Sequence, residues 1–228
     1  EFVFGDWSSD VCSSDLTARA EHQYERAGRM VRFQGAYDAG YGPEAALKVR
    51  HIRSVFLVDG LFWVILDRAI PADAAEHLYE TLMVLNAKEA QASGNRVETR
   101  RQDGPNLLVV AAPQAGQVVA VVQGQTEPVR RGWIKGGRDV LPHPQVAVAM
   151  RCSGKACFAL LLYPVAAGLA LPDAAGIEFV HAEGGLDARA VRVTLPGLGP
   201  LILADQLGEA PMRVAGRQSS ARGVLWED

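Results

Sequence analysis

The chain has 228 residues, of which 49% are hydrophobic and 21% charged, and its 23 Lys and Arg against 26 Asp and Glu give a formal net charge of −3. So small an imbalance supplies no face-wide basic field, which excludes partners held by bulk charge, nucleic acid and anionic membrane surfaces among them. No apolar run reaches the roughly 18–20 residues that crossing a bilayer needs: FALLLYPVAAGLALP is broken by Pro and Gly, and LFWVIL has the length of a strand.

The first stretch in the chain is foreign in character. Residues 5–16, GDWSSDVCSSDL, carry two Ser-Ser-Asp repeats and neither a helical nor a strand period, and they join Thr17 abruptly. They resemble the translation of a sequencing-library adapter, so residues 1–16 are read as a non-native, structureless segment to be set aside before folding is considered. A solvated Ser/Asp-rich tail is the alternative. Setting residues 1–16 aside removes Glu1, Asp6, Asp10 and Asp15, and 22 acidic residues then stand against 23 basic ones. On this reading the native N-terminal part is missing, and residues 17–228 form one large β domain.

Residues 17–48 begin that domain with a leading strand, MVRFQGAY, and a Gly/Tyr-rich loop, GAYDAGYGPEA. Tyr37 and Tyr41 in the loop either line a saccharide groove, where a ring stacks on an apolar sugar face, or pack the loop onto the body. RSVFLV and LFWVILD follow, joined by Asp59-Gly60, the signal for a tight hairpin. HLYETLMVL could be helix or strand. His77, Tyr79, Thr81 and Met83 share one face under alternation, and the segment is read as a strand. RVETRR, NLLVVAAP, VVAVVQGQ, QVAVAM, CFALLLYP, GIEFVHAE, ARAVRVTL and PLILADQ complete a series of short Val/Leu/Ile-rich runs set apart by turn residues. The expected fold is all-β, a large antiparallel sandwich of two stacked sheets.

Few residues announce chemistry. The phosphate-binding Gly-rich loop, the nucleophile elbow, paired CxxC and HExxH are all absent from the sequence. Cys152 and Cys157 flank SGKA, so a hairpin there would set them opposite one another, either as a disulfide, which would indicate an oxidising compartment, or as two free thiols. His51 precedes one strand of the Asp59-Gly60 hairpin and Asp67 ends the other. At about 3.3 Å per residue the hairpin folds them back to nearly the same level, as two ligands for a cation such as zinc or as a hydrogen-bonded pair. Arg130-Arg131, before Gly132-Trp133, would meet sulfate or uronate groups or form a solvated turn. Trp63 and Trp133 read as core or inter-domain anchors.

Taken in order, His51-Ile52-Arg53, SVFLV, Asp59-Gly60, LFWVILD, His77-Leu78-Tyr79-Glu80, Asn106-Leu107-Leu108, GQTEPVRRGWI, LPHPQVAVAM and FALLLYP resemble the C-terminal β-sandwich domain of the heparinase II/III-like polysaccharide lyases. The resemblance runs from about Arg29 to about Leu171. It implies a bacterial, periplasmic or secreted parent enzyme that cleaves an anionic, uronate-containing polysaccharide by β-elimination. In such enzymes most catalytic residues lie in an N-terminal α/α-toroid, which this chain lacks. The resemblance therefore implies a supporting, cleft-closing domain that is inactive alone. It also places His51 and Asp67 where some members bind a structural metal, here a possible zinc. Two further histidines of those members correspond to Val49 and Val84. A non-catalytic carbohydrate-binding or structural sandwich is the alternative.

Overall fold

The computed structural model describes residues 2–4, 21–41, 43–136, 139–185 and 187–228. Among them no α-helix occurs, and the chain forms β-strands in five sheets, antiparallel apart from one short parallel pairing. The expectation of an all-β sandwich is met.

The largest sheet has eight strands. In spatial order they are β2 (Glu21–Ala27), β3 (Met30–Tyr37), β4 (Val49–Val58), β5 (Phe62–Pro71), β14 (Ala156–Val165), β9 (Asn106–Ala111), β8 (Arg96–Thr99) and β7 (Ala90–Ser93). One face carries a four-stranded sheet ordered β1 (Phe2–Phe4), β6 (Glu76–Val84), β13 (Gln145–Ser153) and β10 (Val118–Val122). The other face carries a second four-stranded sheet, β15 (Gly176–Val180), β17 (Arg189–Leu195), β18 (Leu198–Asp205) and β21 (Gly223–Glu227). Two small sheets complete the set. One pairs β11 (Trp133–Gly136) with β12 (Asp139–Pro142), and the other joins β16 (Ala182–Gly184), β19 (Met212–Val214) and β20 (Arg217–Ser219).

The eight-stranded sheet is thus a middle layer, and the sandwich has a third layer beyond the expected two. Two hydrophobic cores follow. Phe56, Phe62, Val64, Leu66 and Leu161 pack against Ile177, Val191, Val193 and Leu203 of the C-terminal sheet. Val49, Ala69, Phe158 and Leu160 pack against Tyr79, Val146 and Val148 of the other. This explains why FALLL shows no alternation: Phe158, Ala159, Leu160 and Leu161 are all buried, because a strand covered on both faces has no side for polar residues.

The hairpin between β4 and β5 is the one the sequence signals. Leu61 N donates to Val58 O at 2.8 Å, and Asp59 and Gly60 both adopt positive φ, 51° and 69°, as a type I′ turn requires.

Two expectations are corrected. QVAVAM and CFALLLYP do not pair as a hairpin. β13 pairs with β6 and β10, β14 pairs with β5 and β9, and Gly154-Lys155 carries the chain from one layer to the next. Two apolar strands that each complete a different sheet bury more surface than one paired ribbon, and Cys152 and Cys157 are accordingly free thiols. In the N-terminal segment read as structureless, Phe2–Phe4 form a short strand parallel to β6. Residues 5–16 lie outside the described residues. No helix among the described residues is long and apolar enough to cross a membrane.

Candidate functional site

Strand register builds the site. Arg53 on β4 faces Asp67 on β5, and His51, two residues earlier, faces Ala69. Residues two apart on a strand share a face, so His51 and Arg53 both lean toward Asp67. That face looks onto β6, which supplies Thr81.

The Asp67 carboxylate is buried and fully engaged. Arg53 donates in bidentate fashion, Nε to Oδ1 and Nη2 to Oδ2, both at 2.7 Å. Thr81 Oγ1 donates to Oδ2, and His51 Nε2 lies 3.2 Å from Oδ1. Burial disfavours ionisation of this carboxyl, but the Arg53 charge and the bonds from His51 and Arg53 outweigh it and hold Asp67 well below the usual carboxylate range.

The network continues toward the surface. His51 Nδ1 is 3.0 Å from the Tyr41 hydroxyl, and Tyr41 stands edge-on to Tyr37 with ring centroids 5.4 Å apart. Both tyrosines are half-buried. The loop that carries them is closed by a reciprocal pair, Tyr41 N to Leu47 O at 2.8 Å and Leu47 N to Tyr41 O at 3.0 Å. Burial, with Tyr37 and Asp67 nearby, pushes the Tyr41 phenol above its ordinary value, so it keeps its proton and serves as a donor rather than a base. The result is a Tyr41–His51–Asp67 chain in which both imidazole nitrogens already face a partner.

This donor set does not fit a zinc centre. A structural zinc takes four ligands, and among the described residues no group of three or more His, Cys, Asp or Glu side chains could hold a metal ion. Arg53 occupies both Asp67 oxygens, and a dication placed there would meet its positive charge at close range.

The arginine pair is placed apart. Arg131 donates to both Glu80 oxygens, Nη1 to Oε1 at 2.8 Å and Nη2 to Oε2 at 2.6 Å, on the opposite face of β6 from Thr81. Arg130 stacks over the Trp133 ring, 5.0 Å from its centroid, and the Trp133 indole donates to Gln125 O at 2.7 Å. Trp63 is 36% exposed on the uncovered end of the middle sheet, not in the core.

Sequence reasoning left Arg53, Thr81 and Glu80 without roles. The signal for Arg53 was present in the His-x-Arg spacing, since alternation alone puts its side chain on the His51 face. It also missed a second buried cluster on the other side of the same sheet. There Asp205 accepts from Arg32 Nε at 2.6 Å, from Ser54 Oγ at 2.7 Å, from Gln34 Nε2 at 3.1 Å and from Arg68 Nη2.

No protein-family model matches the chain, and no curated protein matches it. Solved structures do. A heparan sulfate lyase, HepC, from Pedobacter heparinus superposes with a TM-score of 0.59 at 17% identity, over 92% of this chain and 28% of that one. A structure described as Heparinase III matches with a TM-score of 0.56 at 14% identity, over 91% of this chain and 27% of that one. The likeness establishes a shared β-sandwich fold, and this chain spans little more than a quarter of those structures.

Proposed function

We propose that this chain is the supporting β-sandwich domain of a polysaccharide lyase that cleaves uronate-containing glycans by β-elimination. The observation that carries the reading is the superposition of nearly the whole chain on a heparan sulfate lyase. Such a lyase neutralises the uronate carboxylate, removes the proton beside it and protonates the departing oxygen. The chain's own contribution is structural: the Tyr41–His51–Asp67 network fixes the Gly/Tyr loop, and Tyr37 and Tyr41 offer ring surface beside it for a sugar.

An uncovered apolar surface supports a domain that is braced against another. Tyr24 (68% exposed), Phe33 and Trp63 lie on one face of strands β2 to β5, beyond the reach of the β6 sheet, with Leu61 at the adjoining turn. Residues 1–16 are, in the same proposal, a non-native addition.

The test has two arms. The pure chain incubated with heparan sulfate is expected to release no unsaturated uronate, detected by ultraviolet absorbance; release by the chain alone overturns its supporting role. Genomic DNA upstream of Thr17 is expected to encode a helical domain with Asn, Tyr and His in its cleft. An unrelated neighbour there overturns the lyase reading itself.

A further inference from the structure

We propose that the cleft between the β2–β3 hairpin and the C-terminal sheet binds an acidic sugar unit through its carboxylate or sulfate group. This cleft lies on the opposite face of the middle sheet from His51 and Asp67. It is an open cleft of about 620 Å³, and its lining includes Gln23, Glu25, Arg32, Glu209, Ser220 and Arg222.

Unused donor capacity is the first argument. Behind the cleft wall, the buried Asp205 carboxylate serves two buried guanidiniums, Arg32 and Arg68. Ser54 and Gln34 also donate to it, both at Oδ2. Arg68 has a second acidic neighbour, Asp187, whose carboxylate is 4.0 Å away. Among the described residues, Arg32 has Glu25 besides, also at 4.0 Å, too far for a hydrogen bond. The carboxylates here outnumber the guanidiniums, but Glu25 stands beyond hydrogen-bonding reach, so Arg32 keeps donor capacity that an oxyanion can take up.

Unsatisfied atoms are the second argument. Arg32 is 1% exposed, yet among the described residues its Nη2 has no hydrogen-bond partner, and the same holds for Arg222 Nε and Gln23 Oε1. Buried polar atoms are nearly always paired, and here three unpaired ones belong to residues lining one cleft. Two are guanidinium donors and one is an amide acceptor. A ligand that accepts from the arginines and donates a hydroxyl to Gln23 satisfies all three, and an acidic sugar has both groups.

Access requires little. Arg222 Nη2 now pairs with Glu209 at 3.3 Å, and that carboxylate is largely exposed. An exposed ion pair is worth little, so an incoming anion can replace it, and displacing Glu25 uncovers Arg32.

Titration of the full chain with sodium glucuronate, sodium sulfate and glucose, followed by the arginine Nε–H resonances in NMR, tests the site. Glucuronate is expected to bind saturably and glucose not to bind. Arg222→Ala is expected to weaken glucuronate binding about tenfold, while Glu209→Gln tightens it by removing the competing carboxylate. Saturable sulfate binding with the same dependence on Arg222 shows that the oxyanion suffices; glucuronate binding without sulfate binding shows that the Gln23 hydroxyl contact is also needed. Either result supports the site. Absence of saturable binding by both anions, or binding that Arg222→Ala leaves unchanged, overturns it. Because the cleft is remote from His51, its failure leaves the lyase reading intact.

Discussion

Asp67 and Arg68 are neighbours on β5 that point to opposite faces of the middle sheet, and each anchors a separate buried ion cluster. Asp67 joins Arg53, His51 and Thr81 under the β6 sheet, and Arg68 joins Asp205, Arg32 and Ser54 under the C-terminal sheet. One strand therefore ties all three layers together through charge.

Asp67→Asn keeps the side-chain volume and removes the charge. Arg53 and His51 then face a neutral amide that cannot accept two bonds from a guanidinium. Removing one member of a buried pair is costly, and a loss of about 3 kcal/mol is expected. Urea denaturation monitored by tryptophan fluorescence measures it.

Acid should weaken the same cluster. The folded-state pKa of Asp67 is depressed below its unfolded value, so its contribution is fully present above the unfolded pKa, near 4. It is lost progressively as pH falls below that toward the folded value. The wild-type melting temperature should therefore fall between about pH 4 and pH 2 more steeply than that of Asp67→Asn. Parallel profiles for the two proteins would contradict this.

Tyr41→Phe removes the hydrogen bond to His51 Nδ1 and leaves the ring contact with Tyr37. A stability loss of about 1 kcal/mol is expected. The more telling readout is local: amide exchange in residues 38–48 should quicken while β4 and β5 stay protected.

Gly223→Ala should destabilise although the site is a plain strand position. A Cβ there would lie 2.3 Å from Arg32 Cδ and 3.0 Å from its Nε, and Arg32 cannot retreat because Asp205 holds it. A cost of about 2 kcal/mol is expected, whereas Gly60→Asn, at a turn with open space around it, should cost much less.

Chelation should do nothing. With Arg53 on both Asp67 oxygens, purified protein is expected to hold zinc well below one equivalent by elemental analysis and to melt at the same temperature with or without a chelator. Stoichiometric zinc that stabilises the fold would refute the assignment of Asp67 to Arg53.

Much of the fold was legible in the sequence because strands announce themselves through Val, Leu and Ile runs and turn residues. MVRFQGAY coincides with β3, and the Asp59-Gly60 turn lies where its dipeptide signals. The strand EHQYERA was harder to see, since both of its faces are polar or exposed and it carries no apolar alternation. The third layer was hidden for a different reason. An uninterrupted apolar run reports that both faces of a strand are covered, but not what covers them. The pairing of His51 with Asp67 followed from hairpin arithmetic. Asp205, 151 residues from Ser54 in sequence, lies beyond any such counting, as does the Arg32 side chain that β3 turns inward while Phe33 faces out.

The double coverage of β5 and β14 bears on how this domain tolerates change. In a strand with water on one side, every second position can drift almost freely. Residues 66–69 and 158–161 have no such permissive register, because consecutive side chains enter a hydrophobic core or a buried ion cluster on one side or the other. A saturation scan across these eight sites should show unbroken intolerance where most strands show a two-residue rhythm.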